Sequence, residues 1–434
     1  MDPASITLCV LGVAAFLFIT ELIPLAVTAM AACTALGILG VLPSKAVYAG
    51  MSNSTVVLFG GMFVIGAAMF KTGLAEAIGV AVVKKAGTNE IPLMAAIMTV
   101  TIILSAVSSN TGTVACLMPV IIGICTVAKL PASKQLMPLA IAANVGGTIT
   151  MIGTPPNVIV TGALTTAGLP TFGFFEFAWI GIPLSLVITI YTLFIGRHMI
   201  AAKSAGAMDE EALKAAKEEA GASDDDAPKS ETKMWISGLI LIGVVLCMAL
   251  DLKTVPLHTA AVTGAILCVV TGCLKEKEAY AGIDWVTIFL FAGMLSVASA
   301  MEKTGAGKLI ADTVVSMMGT NPNPYVLTAV LFLISNVLTQ FMSNTASAAL
   351  LAPIGISIAQ SIGADPKPVL MALGIAASCA FATPMATPPN TLVLGPGGFS
   401  FNDYAKVGVP MCVISLIVCL VVIPIVWPCG MSDL

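Results

Sequence analysis

Charge-free apolar stretches recur along the whole chain, among them Ala4 to Thr20, Leu22 to Ser44, Ala46 to Phe70 and Val407 to Ser432. A helix needs about 20 such residues to cross the hydrocarbon core of a bilayer, so most of these stretches are long enough. In lipid only helices and closed barrels satisfy their own backbone groups, and continuous apolar runs without alternation read as helices. Composition agrees: 58% of the 434 residues are hydrophobic and 10% are charged, against about 25% charged in an ordinary soluble domain. The expected fold class is an all-α polytopic membrane bundle.

The net charge of −4 says little about partners, because the charges fall almost entirely in loops. Most of the eleven cysteines lie inside apolar segments, as Cys33, Cys116, Cys268, Cys379 and Cys412 do, without metal-ligand spacing. They read as small buried hydrophobes. The first apolar segment lacks a basic flank and is followed at once by another, so it reads as a retained helix rather than a cleaved leader.

The chain also repeats itself. Tyr48-Ala49-Gly50 recurs as Tyr280-Ala281-Gly282, Gly61-Met62 as Gly293-Met294, and Lys71-Thr72-Gly73 as Lys303-Thr304-Gly305. Ser109-Asn110-Thr111 recurs as Ser343-Asn344-Thr345, with Pro119 and Pro353 at the same distance behind, and Thr154-Pro155-Pro156-Asn157 recurs as Thr387-Pro388-Pro389-Asn390. All offsets lie between 232 and 234 residues and keep the same order, which marks a duplication. The first repeat spans residues 1–200 and the second 234–434. Between them lies the hydrophilic stretch 201–233, with an Ala-rich charged run around Glu210 and Lys217 and then Asp224-Asp225-Asp226. It is expected to form a solvated helix and a flexible acidic linker.

Each repeat holds five crossings, near 4–20, 22–42, 54–70, 135–168 and 177–198 and near 234–250, 255–274, 285–301, 368–396 and 405–427. Each also holds one segment, 91–128 or 324–361, whose two arms of about 17 residues meet at Ser-Asn-Thr and read as a re-entrant hairpin. The odd crossing number turns the second repeat upside down, giving inverted-topology repeats with about 10 transmembrane helices. With the N-terminus outside, 14 basic residues face the cytoplasm and 5 face out, as positive-inside orientation requires. The first hairpin then opens to the cytoplasm and the second to the exterior.

Polar Ser-Asn-Thr tips inside lipid are costly unless they face protein, water or ligand. Paired prolines cannot continue a preceding helical turn, so each Thr-Pro-Pro-Asn should break its segment near mid-membrane, with Gly146, Gly147 and Gly153 loosening the first break. Broken helices present carbonyls to cations and N–H groups to anions. Ser105 and Thr339 each stand four residues before a Ser-Asn-Thr motif. Hydroxyl, amide and carbonyl oxygens suit Na⁺, whereas a proton or divalent-metal site would call for carboxylates near the tips, and none is expected there. No Arg or Lys neighbours the four motifs either. An anion would therefore be held by amides, hydroxyls, helix N-termini and co-bound cations. Gluing helices together is the blander role for such residues, and the duplicated pairing beside proline breaks weighs against it. His258 and Glu21 read as interfacial residues. Neither a nucleotide loop, a metal-ligand cluster nor a nucleophile–base pair is present, so neither enzyme activity nor nucleic-acid binding is expected.

On the paired Ser-Asn-Thr and Thr-Pro-Pro-Asn motifs the chain resembles the divalent anion/sodium symporter family, within the broader ion transporter superfamily. The likeness runs through both halves and is especially close over residues 386–408. It implies a homodimer in the plasma membrane (inner membrane of a bacterium) working by an elevator-type motion. It implies one sodium site around Ser105, Ser109, Asn110 and Gly153 and a second around Thr339, Met342, Asn344 and Ala386. Substrate would touch Asn110, Thr111, Thr154, Asn344, Thr345, Thr387 and Pro388. The expected function is Na⁺-coupled uptake of a C4-dicarboxylate such as succinate, malate or fumarate. Sulfate symport and sodium-independent dicarboxylate exchange are the near alternatives, and a cation/proton antiporter, an arsenite-type permease or a channel the distant ones.

Overall fold

The computed structural model describes residues 2–87, 89–206, 210–219, 230–250, 254–318 and 323–428. The expected Asp224-Asp225-Asp226 run, Lys229, Lys253 and the end of the last apolar stretch at Ser432 lie outside the described residues. The fold is all-α. The first half runs α1 (Pro3–Thr20), α2 (Leu25–Ile38), α3 (Ser54–Lys71), α4 (Leu74–Ala86), α5 (Glu90–Ser105), α6 (Asn110–Ala128), α7 (Ser133–Gly146), α8 (Pro155–Thr166) and α9 (Ala178–Tyr191). The second runs α10 (Glu231–Ala249), α11 (Leu257–Val270), α12 (Trp285–Thr304), α13 (Ala306–Met318), α14 (Pro324–Thr339), α15 (Asn344–Ser361), α16 (Pro366–Ser378), α17 (Pro388–Leu394) and α18 (Phe401–Val426). Each helix of the first half thus has a counterpart nine places on. Short turns at Ser44–Val47 and Glu276–Ala281 also correspond.

Packing obeys the same exchange. Helix α2 lies along α12 and α3 along α11; α5 packs on α7 as α14 packs on α16; α9 meets its own counterpart α18. The duplicated Gly61-Met62 and Gly293-Met294 mark these crossings. A Cβ on Gly61 would sit 2.8 Å from the carbonyl carbon of Ala261, and one on Gly293 would sit 2.8 Å from that of Ala29. Close helix approach through small residues is how apolar bundles gain dispersion contacts when lipid competes equally for every side chain.

Crossing boundaries differ from the sequence reading in three ways. The stretches 22–42 and 255–274 form helices of only 14 residues, because Pro24 and Pro256 delay their starts and positive-φ Gly40 and Gly272 close the turns behind them. Amphipathic helices α4 and α13, unresolved by a search for apolar runs, follow Gly73 and Gly305, which hold φ of +82° and +74°. The duplicated Lys-Thr-Gly is therefore the turn from a crossing helix into a lateral one. Arm α6, at 19 residues, is also longer than the 17 or so expected, and by length alone it could cross a bilayer.

Large apolar side chains on the outer faces, such as Phe16, Trp235 and Ile417, are exposed, as a lipid-facing surface requires. The charged residues gather at two ends. At one, Lys71 pairs with Glu278 at 3.3 Å and Lys203 with Asp403 at 3.1 Å. At the other, Lys367 pairs with Glu176 at 2.7 Å. The linker helix Glu210–Glu219 is not wholly solvated: Leu213 and Ala216 are buried, and the helix lies against α6.

Substituting alanine at Gly61 or Gly293 should force the paired backbones apart and cost about 1–3 kcal/mol. Thermal unfolding of the purified protein should show both variants shifted down, and Gly12→Ala, where nothing lies within 4 Å of the new methyl and alanine is the better helix former, not lowered.

Candidate functional site

The two tips form by the same local chemistry. Ser109 is the N-cap of α6 and its hydroxyl accepts from Gly112 N at 3.3 Å; Ser343 caps α15 by accepting from Ala346 N at 3.1 Å. Capping leaves the first N–H groups of each helix, on Asn110 and Thr111 and on Asn344 and Thr345, without intrahelical partners. The Ser-Asn-Thr motif is thus a helix start, and its positive end is turned inward.

The Thr-Pro-Pro-Asn motifs start helices as well. Thr154 and Thr387 are extended N-caps, and the prolines take the first two positions of α8 and α17, where a missing N–H costs nothing. The irregular backbone therefore precedes the prolines, over 147–154 and 379–387. Each break is braced by the motif's own asparagine. Asn157 Nδ2 donates to Gly147 O at 3.3 Å and Thr150 O at 2.9 Å; Asn390 Nδ2 donates to Ala380 O and Thr383 O, both at 2.9 Å. Thr150 and Thr383 tie the breaks to the hairpins through the carbonyls of Ala106 and Gln340.

Both tips and both breaks line one cavity of about 310 Å³. Of the residues expected at the site, Ser109, Asn110, Thr111, Gly153, Thr154, Asn344, Thr345, Ala386, Thr387 and Pro388 are on its wall. Ser105, Thr339 and Met342 are buried immediately behind the tips and do not line it. Ser105 Oγ lies 2.6 Å from Asn110 Oδ1, and Thr339 Oγ1 lies 2.6 Å from Asn344 Oδ1 and 2.7 Å from Ala377 O. Around the Asn110 amide the arrangement is tighter still. The terminal atom facing Ser105 also lies 3.1 Å from the carbonyl oxygens of Gly153 and Ala143. As nitrogen it shares its two hydrogens among these three acceptors; as oxygen it accepts from the Ser105 hydroxyl and stands against the two carbonyls, a repulsion that a cation among them would relieve.

Sequence reading missed several parts of the wall. Asn144, buried in α7, reaches the cavity beside Thr387; a lone amide in the apolar run 136–146 was the available signal. Phe59, Phe63, Phe70 and Leu290 supply an apolar side. Asp284 also lines the cavity, which corrects the expectation that no carboxylate stands near the tips: one remote in sequence is brought there by the fold. Its oxygens are engaged as the cap of α12, accepting from Thr287 N at 3.0 Å and from the Thr287 hydroxyl. Among the described residues no cluster of His, Cys, Asp and Glu could hold a metal ion.

A polytopic bundle whose two halves meet at a polar cavity is an architecture that integral membrane transporters use. The chain belongs to the citrate transporter family, CitMHS, whose model matches residues 15–368 and 345–430. It is 30% identical to an uncharacterized transporter of Haemophilus influenzae, over 97% of this chain and 90% of that one. It is 26% identical to the sodium-dependent dicarboxylate transporter SdcS of Staphylococcus saprophyticus, over 94% of this chain and 83% of that one. Among solved structures it is similar to the YdaH transporter of Alcanivorax borkumensis, with a TM-score of 0.67 at 15% identity, covering 96% of this chain and 99% of that one. The resemblance to divalent anion/sodium symporters read from the paired motifs is in line with these relatives.

Asparagine caps a helix as well as aspartate does. Asp284→Asn should therefore preserve folding and transport with an unaltered pH profile. Loss of transport in that variant, measured as uptake across acid and alkaline pH, would favour a proton-coupled site instead.

Proposed function

We propose that this protein carries a small divalent anion, with C4-dicarboxylates such as succinate, malate and fumarate the leading substrates, into the cell together with Na⁺. The observation that supports it is the convergence of four separate motifs on one cavity whose wall offers amides, hydroxyls, free helix N–H groups and oxygen clusters, with no Lys or Arg among the lining residues. One sodium ion would sit among Ser105, Asn110, the Ser109 region and Gly153, and a second among Thr339, Asn344 and the backbone of Met342 and Ala386. Ser109 spends one hydroxyl lone pair on its cap and its carbonyl on the N–H and hydroxyl of Thr113, so its second hydroxyl lone pair would face the ion. The dianion would lie between the tips, against Asn110, Thr111, Thr154, Asn344, Thr345, Thr387 and Pro388. Two unit charges about 4 Å apart attract by about 4 kcal/mol at an effective dielectric near 20, so cation and anion binding reinforce each other.

The names of the sodium-dependent dicarboxylate relatives lend this reading weight. The family's description as citrate transporters brings citrate into the same test. Alternating access would come from an elevator motion of hairpins and broken helices against α1–α3 and α10–α12. We place the protein in a bacterial inner membrane as a homodimer, with α1 starting outside, the first hairpin (91–128) opening to the cytoplasm and the second (324–361) to the exterior.

The test is thermal stabilisation of purified protein by succinate, malate, fumarate, citrate and sulfate, with Na⁺ and with K⁺ in its place. A ligand at a hundredfold excess over its Kd adds about 2.7 kcal/mol to stability, so a dicarboxylate should raise the unfolding temperature in Na⁺ only. In proteoliposomes, Asn110→Ala and Asn344→Ala should each abolish Na⁺-stimulated uptake while inserting normally. Succinate flux that ignores a sodium gradient and needs internal succinate would reject symport in favour of exchange.

A further inference from the structure

The two halves of the cavity are not chemically equal, and the difference traces to one residue. Asn390 has its amide group oriented beyond ambiguity: Nδ2 faces two carbonyls, Ala380 O and Thr383 O, both at 2.9 Å, and only a donor can stand there. Its Oδ1 must then point the other way, toward Asn144. Asn144 lies in the first repeat and presents Nδ2 to Asn390 Oδ1 at 3.0 Å and to Thr387 Oγ1 at 3.2 Å. Since Asn390 Oδ1 can only accept, the nearer Asn144 atom is nitrogen, and the Thr387 hydroxyl oxygen is held as an acceptor. Its own proton finds no other partner among the described residues, while Thr387 forms part of the cavity wall.

In the first half the chain of donors is missing. The counterpart of Asn144 is Ser378, whose hydroxyl is spent inside its own helix, donating to Gly374 O at 2.9 Å. Among the described residues Asn157 Oδ1, the counterpart of Asn390 Oδ1, is buried without a hydrogen-bond partner, and no neighbouring side chain donates to Thr154, the counterpart of Thr387. Among the described residues nothing fixes the Thr154 hydroxyl as Asn144 fixes that of Thr387.

We propose that Asn144 is a positioning residue that reaches across the repeat boundary to lock the Thr387 hydroxyl as a donor into the cavity. There it offers a proton to an acceptor oxygen of the bound anion. This rests on the anion-transport reading above and deepens it by making the Thr387 end the one that reads a deprotonated carboxylate. The lock costs the site nothing when the anion binds, because the hydroxyl's orientation has already been set.

The experiment is a double-mutant cycle on Asn144→Ala and Thr387→Ala, read as initial uptake rates in proteoliposomes under saturating Na⁺. Asn144→Ala alone should raise the KM for dicarboxylate about tenfold, the loss of one hydrogen bond to a charged acceptor, with the maximal rate kept within about twofold of wild type. In the Thr387→Ala background the same substitution should have almost no further effect on KM. In Thr387→Ser, which keeps the hydroxyl, it should again cost about tenfold. Equal, multiplying effects of Asn144→Ala in all three backgrounds would overturn the assignment, as would a fall in maximal rate with KM unchanged. Unfolding temperatures of each variant separate this from misfolding, since a merely structural role would lower stability without making the KM effect depend on residue 387. Absence of dicarboxylate binding by wild type would remove the transport reading and this assignment with it; binding by wild type with additive variants removes this assignment alone.

Discussion

A backbone that leaves the helix inside an apolar bundle has to find partners for every polar group it frees, and this requirement organises the rest of the molecule. An unsatisfied buried carbonyl or N–H costs about 1–3 kcal/mol, and two breaks free several at once. Asn157 and Asn390 answer by reaching back seven and ten residues to the carbonyls of each break. Thr150 and Thr383 bind the same segments to the hairpins. The groups left over are those that face the cavity. Polar surface in the middle of the fold is what remains after the structural accounting is complete.

The hairpins solve the complementary problem. Their helices begin inside the protein, and Ser109 and Ser343 satisfy one early N–H each. The donors of the next residues point at the same space as the oxygen-rich clusters around Asn110 and Asn344. A site with donors on one side and oxygen ligands on the other has room for an anion and cations together, each lowering the cost of placing the other at low dielectric.

Duplication supplies the scaffold and divergence supplies the chemistry. The corresponding helices, the paired glycines and the Lys-Thr-Gly turns preserve the exchange of α2 with α11 and of α3 with α12 in their packing. The second half adds Asn336 and Gln340, whose amides bind the carbonyls of Ala376 and Cys379 and the N–H of Ala382. Their first-half counterparts, Ile102 and Ala106, have no such groups. The second break is therefore the more heavily tied of the two, and Asn144 ties it again from the opposite repeat.

Much of this was legible in the chain itself. Charge-free runs determined that it spans a membrane as helices, because lipid leaves the backbone no other partner than itself. The collinear offsets determined the duplication, and the paired motifs located the polar interruptions, since Ser-Asn-Thr and Thr-Pro-Pro-Asn are costly in lipid wherever they lie. Only the tertiary structure decided which of those residues share a wall and which stand behind it. It showed that Asn157 and Asn390 brace the breaks rather than line the cavity, that Asp284 comes from far along the chain to its edge, and that Asn144 belongs to the other repeat's threonine. The reason is physical. Local sequence states what each group can donate or accept, whereas the identity of its partner is set by helix packing between segments more than two hundred residues apart.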